Sequence, residues 1–293
     1  KKHPTDLILN GDTFDFAKCP YKDKHPKHIT EETSVWKLEL IFKAHPLLFK
    51  TWKDFLKTDK RTRVIFITGN HDFDLAYPKV QERLKAILGG KDKKVQDRVL
   101  FPGFEFKDNI LLIEHGSQLD HFFSVDEEKL IHFNKKHKIG KPYLLLPWGF
   151  NAHYDYFIHI KEQIPILERL YPRTKALQIM PQRFKIKFGA NAVWYMIKSF
   201  IFTQFKHWHD PLYRLNPKEF WKYFRSFTKK HYKLHIVYPA KRKLRKSRFK
   251  VIAVGHNHLG GLHKLRKGKI VLNTGNWRDE YSYSAYTKSF VPK

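Results

Sequence analysis

The chain has 293 residues, 42% of them hydrophobic, which suits a globular protein with a sizeable core and argues against disorder. Its single cysteine, Cys19, excludes a disulfide framework and any Cys-rich zinc module, and points to a reducing compartment such as the cytoplasm. The formal charge of +29 calls for a phosphate-rich partner or an anionic surface, and it is uneven: residues 121–250 hold 28 Lys and Arg against 8 Asp and Glu.

In chain order, the first element is the apolar run DLIL, which stops at Asn10, Gly11 and Asp12 and is followed by a second carboxylate, Asp15. A run of this kind reads as a buried strand ending in a polar cluster. The next stretch, EETSVWKLELIFKAHPLLFKTWKDFLK, has apolar residues at three- and four-residue steps and reads as helix interrupted at Pro46. RVIFITGNHD and NILLIEHG repeat the pattern of a strand that stops at polar residues. Near the C-terminus FKVIAVGHNH does so again, and KGKIVLNTGNW adds a further short strand. The order is therefore α/β, with both ends of the chain, residues 1–120 and 251–293, expected in one domain. The segment between them, residues 121–250, is rich in Phe, Tyr, Trp and Lys and cut by eight prolines. It reads as a basic helical insertion, a cap or a lid. No segment reads as a signal peptide or as a run of about 18 uncharged apolar residues, so the chain is not expected to cross a membrane.

Side chains just past the ends of buried strands converge on one edge of an α/β sheet. The clusters are therefore expected to share a site, to which Asp12, Asn70, His115, His256 and His258 bring hard oxygen and imidazole nitrogen. Such donors suit manganese, zinc or iron. Singly, each has a plainer reading, as a turn former or a satisfied histidine; their order and number favour a common site.

The series GDTFD, GNHD, EHG and GHNH resembles four of the five motifs of the calcineurin-like metallophosphoesterase superfamily, over residues 6–120 and 250–280. The resemblance implies a four-layer αββα sandwich and two divalent metal ions, manganese first and zinc or iron as alternatives, that activate a bridging hydroxide to hydrolyse a phosphate ester. Asp12 would bridge the ions, with Asn70, His115 and His256 completing one of them and His258 belonging to the other. The resemblance assigns His71 to the leaving group as an acid and Asp15 to orienting His71. The family's first motif, Asp-x-His, has no counterpart ahead of Asp12; Asp23-Lys24-His25 follows the second motif and reads as a coincidence. Residues preceding Lys1 in the natural protein are therefore expected. Phe16-Ala17 stand where phosphoprotein phosphatases carry Arg-Gly. LNGDTFDF, GNHDF and NTGNW, with the long insertion, are most similar to the UDP-2,3-diacylglucosamine hydrolase-like group, although His71 and Ser117 stand where some of its members have Arg and Asp.

The implied function is hydrolysis of a phosphate ester or pyrophosphate on an anionic substrate, lipid-linked or presented at a membrane. A nucleotide or nucleic-acid phosphodiesterase and a non-catalytic scaffold are the alternatives. The insertion reads as a solvated cap, as a nucleic-acid surface, or as a peripheral contact with the inner face of an anionic membrane, the last through FGANAVWYMIKSFIFTQF at residues 188–205 beside basic runs. His207, Trp208 and His209 read as surface, since residues two apart do not share a helix face.

Overall fold

The computed structural model describes residues 4–120, 123–133, 135, 139–147, 150, 164–171, 173–206, 210, 212, 221 and 236–292. The chain forms two compact units, one of residues 1–147 and 228–276 and the other of residues 148–227 and 277–293. These divisions differ from those drawn on the sequence. The basic run at 241–250 falls in the first unit with the strands, and the C-terminal residues 277–293 fall in the second.

The first unit contains two sheets that include parallel strands. One has β1 (Asp6–Asn10), β2 (Arg63–Ile67) and β3 (Val99–Leu100), all parallel and in that order. The other joins β4 (Glu105–Lys107), β5 (Leu111–Glu114), β9 (Val251–Val254), β10 (Gly261–Lys264) and β11 (Ile270–Asn273), in the order β10-β11-β9-β5-β4. The pairs β5·β9 and β9·β11 are parallel, and the outer pairs antiparallel. A short antiparallel pair, β6 (Ile131–His132) with β7 (Tyr143–Leu144), completes this unit.

Alternation along the strands sorts their side chains into two sets. Ile67, Ile113 and Ala253, with Ile8, Phe106 and Leu111, form one apolar cluster that draws on both sheets. The adjacent residues Leu112, Ile252, Val254 and Val271 pack instead on Ile236, Ala240 and Leu244, so the helix Val237–Lys246 covers the other face of the five-stranded sheet. Its Lys243 pairs with Glu114 and Glu105, which uses one cation of the basic run for internal structure.

The expected helix after β1 forms as two, α1 (Glu31–Ala44) and α2 (Pro46–Thr58). Thr30 caps α1 by accepting the Thr33 amide at 3.3 Å, and Pro46 opens α2 at a position where its missing N–H costs nothing. From α2, Trp52 meets Phe66 of β2 and Phe14, and Phe49 meets Phe14, with Phe14 and Phe66 stacked at 5.3 Å. Helix α3 (Pro78–Gly89) buries Val80, Leu84 and Leu88 at the four-residue spacing of a covered face.

A cation lies in this core. Lys37 of α1 is fully buried, its Nζ donating to the Phe16 carbonyl at 3.2 Å and lying 4.0 Å from Asp74 Oδ1, which also accepts from Ser34 Oγ at 2.7 Å. It ties the turn after β1 to the turn after β2 through α1.

The second unit contains the strands β8 (Leu170–Tyr171), β12 (Tyr281–Ser284) and β13 (Ser289–Pro292), in the order β13-β12-β8, and the helices Arg173–Ile179 and Gln182–Lys206. Among the described residues no helix is long and apolar enough to cross a membrane.

Replacing Lys37 by Met leaves a buried carboxylate and a buried carbonyl short of a donor. Lys37→Met is expected to cost about 3–5 kcal/mol of unfolding free energy, read from urea denaturation.

Candidate metal centre

Parallel pairing with Asn10 opposite Ile67 sends the loops after β1 and β2 out side by side. The loops after β5 and β9 are joined in the same way, the Gly255 amide donating to the His115 carbonyl at 2.7 Å. Asp12, His115 and His256 converge from three of these loops, and their ligand atoms all lie within 4.8 Å of one another. Asn70 joins them from the fourth, its Oδ1 2.8 Å from His256 Nδ1.

Two glycines permit the approach. A Cβ on Gly11, whose φ is +79°, would sit 2.5 Å from His115 Nδ1, and one on Gly69 would sit 2.2 Å from Asp12 Oδ1. The chain also holds Asp12, Asp15, His256 and His258 in left-handed backbone conformations, with φ of 54°, 49°, 69° and 61°. Four of the eight described non-glycine residues with positive φ lie in these loops, and strain of that kind must be imposed by surrounding structure.

Much of the imposing is done by Asp72, the last residue of GNHD, which is fully buried. Its carboxylate accepts the amides of Thr13, Phe14 and Asp15, the last two at 3.2 and 3.0 Å. Burial and the neighbouring Asp12 charge push the Asp72 carboxyl above the usual range, with the Thr13 amide working against them. One carboxylate thus clamps three consecutive residues of the Asp12–Asp15 turn.

Asp12 is itself held on one side by the His71 amide, which donates to Oδ1 at 2.8 Å. Its Oδ2 lies 3.1 Å from His115 Nε2. Burial alone would raise the Asp12 carboxyl, but the His115 and His71 imidazoles outweigh it and hold the group well below its usual range. His115 Nδ1 meets the Asn10 carbonyl at 2.8 Å. Because a carbonyl only accepts, Nδ1 carries the proton and Nε2 turns its remaining position to the cluster. That Nε2 is buried and aligned with no hydrogen-bond partner despite its closeness to Asp12. Two ligand atoms this close, with His256 within 4.8 Å of both, could hold a cation between them. The orienting Nδ1–H···O=C contact is the support that metal-binding histidines commonly have.

His256 is sandwiched. Asn70 Oδ1 faces its Nδ1, Asp120 Oδ2 lies 3.1 Å from its Nε2, and Phe123 packs edge-on at 5.4 Å. Burial lowers the His256 pKa against the pull of Asp120 and so favours the neutral imidazole, the form that ligates metal.

His71 stands beside this cluster. Its Nδ1 lies 2.7 Å from Asp15 Oδ1, and Lys18 pairs with Asp15 Oδ2. Burial opposes protonation of His71, but Asp15 and Asp12 together raise its pKa above the ordinary value. Asp15 is held low by His71 and Lys18 in spite of its own burial.

Asp12, Asn70, His115 and His256 are therefore brought together, and Asp15 with His71 adjoins them. His258 is outside the three-residue group, at the end of the same loop as His256. Two further residues were not singled out on the sequence. Asp120 is five residues past His115 with no motif to mark it, and the clamping role of Asp72 depends on a turn 57 to 59 residues away. The His207, Trp208 and His209 cluster, with Trp148, lies outside the described residues. No protein family and no curated protein matches this chain.

Calorimetric titration of manganese or zinc is expected to show binding that Asp12→Asn or His115→Ala abolishes. The His115 pKa is raised by Asp12 against burial, so metal and proton compete there. Binding should release protons at neutral pH and weaken as the pH falls, seen by comparing buffers of different ionisation enthalpy.

His71 should titrate above 6.5 by NMR, and Asp15→Asn should bring the midpoint down. The raised His71 pKa contributes stability that is complete below 6.5 and is lost as the pH rises through the folded value. The lowered Asp15 pKa contributes stability that is present above 3.8 and is lost as the pH falls through its folded value. The stability difference between wild type and Asp15→Asn is therefore expected to be largest between those two pH values.

Proposed function

We propose that the chain is a metal-dependent phosphoesterase of the calcineurin-like type, built on a four-layer αββα sandwich. The observation that carries the reading is the convergence of Asp12, His115 and His256, with the buried His115 Nε2 turned to Asp12 Oδ2 at 3.1 Å. The layering is supported by the apolar cluster that draws on both sheets, with α2 packed on β2 and the helix Val237–Lys246 on the five-stranded sheet.

Asp12, Asn70, His115 and His256 would hold one ion, and Asp12 with His258 would contribute to a second. Divalent ions there supply polarisation of phosphoryl oxygens and a lowered pKa for coordinated water. The chain's own groups do the rest. Asp12 and the imidazoles set the site's charge, and Asp120, at 3.1 Å from Nε2, fixes the ring of His256 so that Nδ1 turns to the site beside Asn70 Oδ1. His71, kept protonated by Asp15, would donate the proton that a leaving oxygen requires. Asp15 acts through His71 by orienting its ring and stabilising its charged form.

The substrate class that suits a site of this type in a chain of charge +29 is an anionic phosphate ester or pyrophosphate, lipid-linked or presented at a membrane. A nucleotide or nucleic-acid phosphodiesterase is the second reading, favoured by the interleaving of Lys and Arg with aromatic residues in 121–250.

The test is kinetics beside metal analysis, with a chromogenic phosphodiester and a pyrophosphate as probes. His71→Ala is expected to lower turnover about 10²- to 10⁴-fold, the usual contribution of a positioned acid, with metal content intact. Asp15→Asn should act in the same direction and less strongly. Loss of metal in His71→Ala would overturn the role given to that residue, and no hydrolysis of either probe by metal-loaded wild type would overturn the phosphoesterase reading.

A further inference from the structure

The helix Gln182–Lys206 spans 25 residues, in which Arg183, Lys185, Lys187, Lys198 and Lys206 are the charges and no Asp or Glu occurs. Several of its apolar side chains are turned outward. Ile186, Val193, Trp194, Ile197, Ile201 and Phe205 are 46–73% exposed. They recur at three-, four- and seven-residue steps, which puts them on one side of an α-helix along most of its length. The covered position Ser199, 9% exposed, falls on the opposite side. Arg183, Lys187 and Lys198 are exposed and lie within or beside the apolar side, with Lys198 Nζ 5.7 Å from the Phe202 ring.

Three kinds of occupant suit such a face unequally. A second copy of the chain would set like charges against one another with no acid on either helix to neutralise them. A nucleic acid would pair the cations and stack on Trp194 and Phe205, but it would leave four aliphatic side chains against a polar backbone. An anionic bilayer surface satisfies both halves: acyl chains cover the apolar side chains, Trp194 sits at the headgroup level, and the long cationic side chains reach back to the lipid phosphates.

We propose that the helix Gln182–Lys206 is a membrane-docking surface that lies in the plane of an anionic bilayer with its exposed apolar side immersed. This does not rest on the phosphoesterase reading, because no residue of the metal centre is involved. It assigns the exposed helix a lipid surface as partner and makes attachment part hydrophobic and part electrostatic.

The test uses the full chain in co-sedimentation with phosphatidylglycerol–phosphatidylcholine vesicles and with phosphatidylcholine alone, across a salt series. Binding to the anionic vesicles is expected, reduced but not abolished by salt. Ile197→Asp with Ile201→Asp should lower partitioning about tenfold or more by removing immersed apolar surface. Replacing Arg183, Lys187 and Lys198 by Gln should lower binding to anionic vesicles about fivefold for each cation that faces the lipid, with binding to neutral vesicles unchanged. Circular dichroism establishes that the variants are folded, and brominated lipid should quench the wild type more than Trp194→Phe. Binding unchanged in both variant sets would overturn the proposal. So would binding to single-stranded DNA with none to vesicles, or self-association that Ile197→Asp with Ile201→Asp abolishes while vesicle binding is absent.

Discussion

The carboxylate of Asp72 is the constraint on which the candidate site depends. It gathers the amides of Thr13, Phe14 and Asp15 from a turn that would otherwise relax, because two of the turn's residues, Asp12 and Asp15, sit in left-handed backbone. A buried acceptor that satisfies three consecutive donors is hard to replace with water, and the parallel register of β1 and β2 brings the two loops within its reach. Lys37 fastens the same turn from behind by binding the Phe16 carbonyl. With the turn held, Asp12 points to His115 and Asp15 to His71, so one clamp aims two carboxylates at different partners.

Those partners are differentiated by their surroundings. His71 and His115 face carboxylates and are drawn towards the charged form, whereas burial draws His256 towards the neutral one. His71 and Asp15 keep a proton beside the cluster, and the cluster itself offers a deprotonated oxygen and imidazole nitrogens. This division between a pair that holds a proton and a group that could hold a metal ion arises from hydrogen-bond partners more than from residue type.

The positive charge is likewise divided by its structural setting. Part of the basic run after residue 240 serves the fold, since Leu244 is buried against the sheet and Lys243 pairs with Glu114 and Glu105. In the second unit, by contrast, cations flank an apolar helix side that the protein leaves exposed. Net charge alone does not distinguish these cases; what matters is whether a cation meets a carboxylate or solvent.

Much of the α/β order was legible in the sequence because buried strands that stop at polar residues have a local signature. β1, β2, β5, β9 and β11 all lie within runs recognisable as such, and Pro46 marks the break between α1 and α2. Asp12, Asn70, His115 and His256 were legible as one group for the same reason, although the strands they follow belong to two sheets, β1 and β2 to one and β5 and β9 to the other, and not to a single sheet edge as the sequence suggested. Other features had no local sign. Asp120 acquires meaning only when the loop after β5 folds over His256, and Asp72 only when parallel pairing brings it to the Asp12–Asp15 turn. The division of the chain into units, with residues 237–250 packed on the sheet, depended on which face of a basic helix found apolar partners. Periodicity and motif order are written in neighbouring residues and can be read from the chain by itself. Hydrogen-bond partners, protonation preferences and the covering of a face are relations between distant residues, and only the tertiary structure decides them.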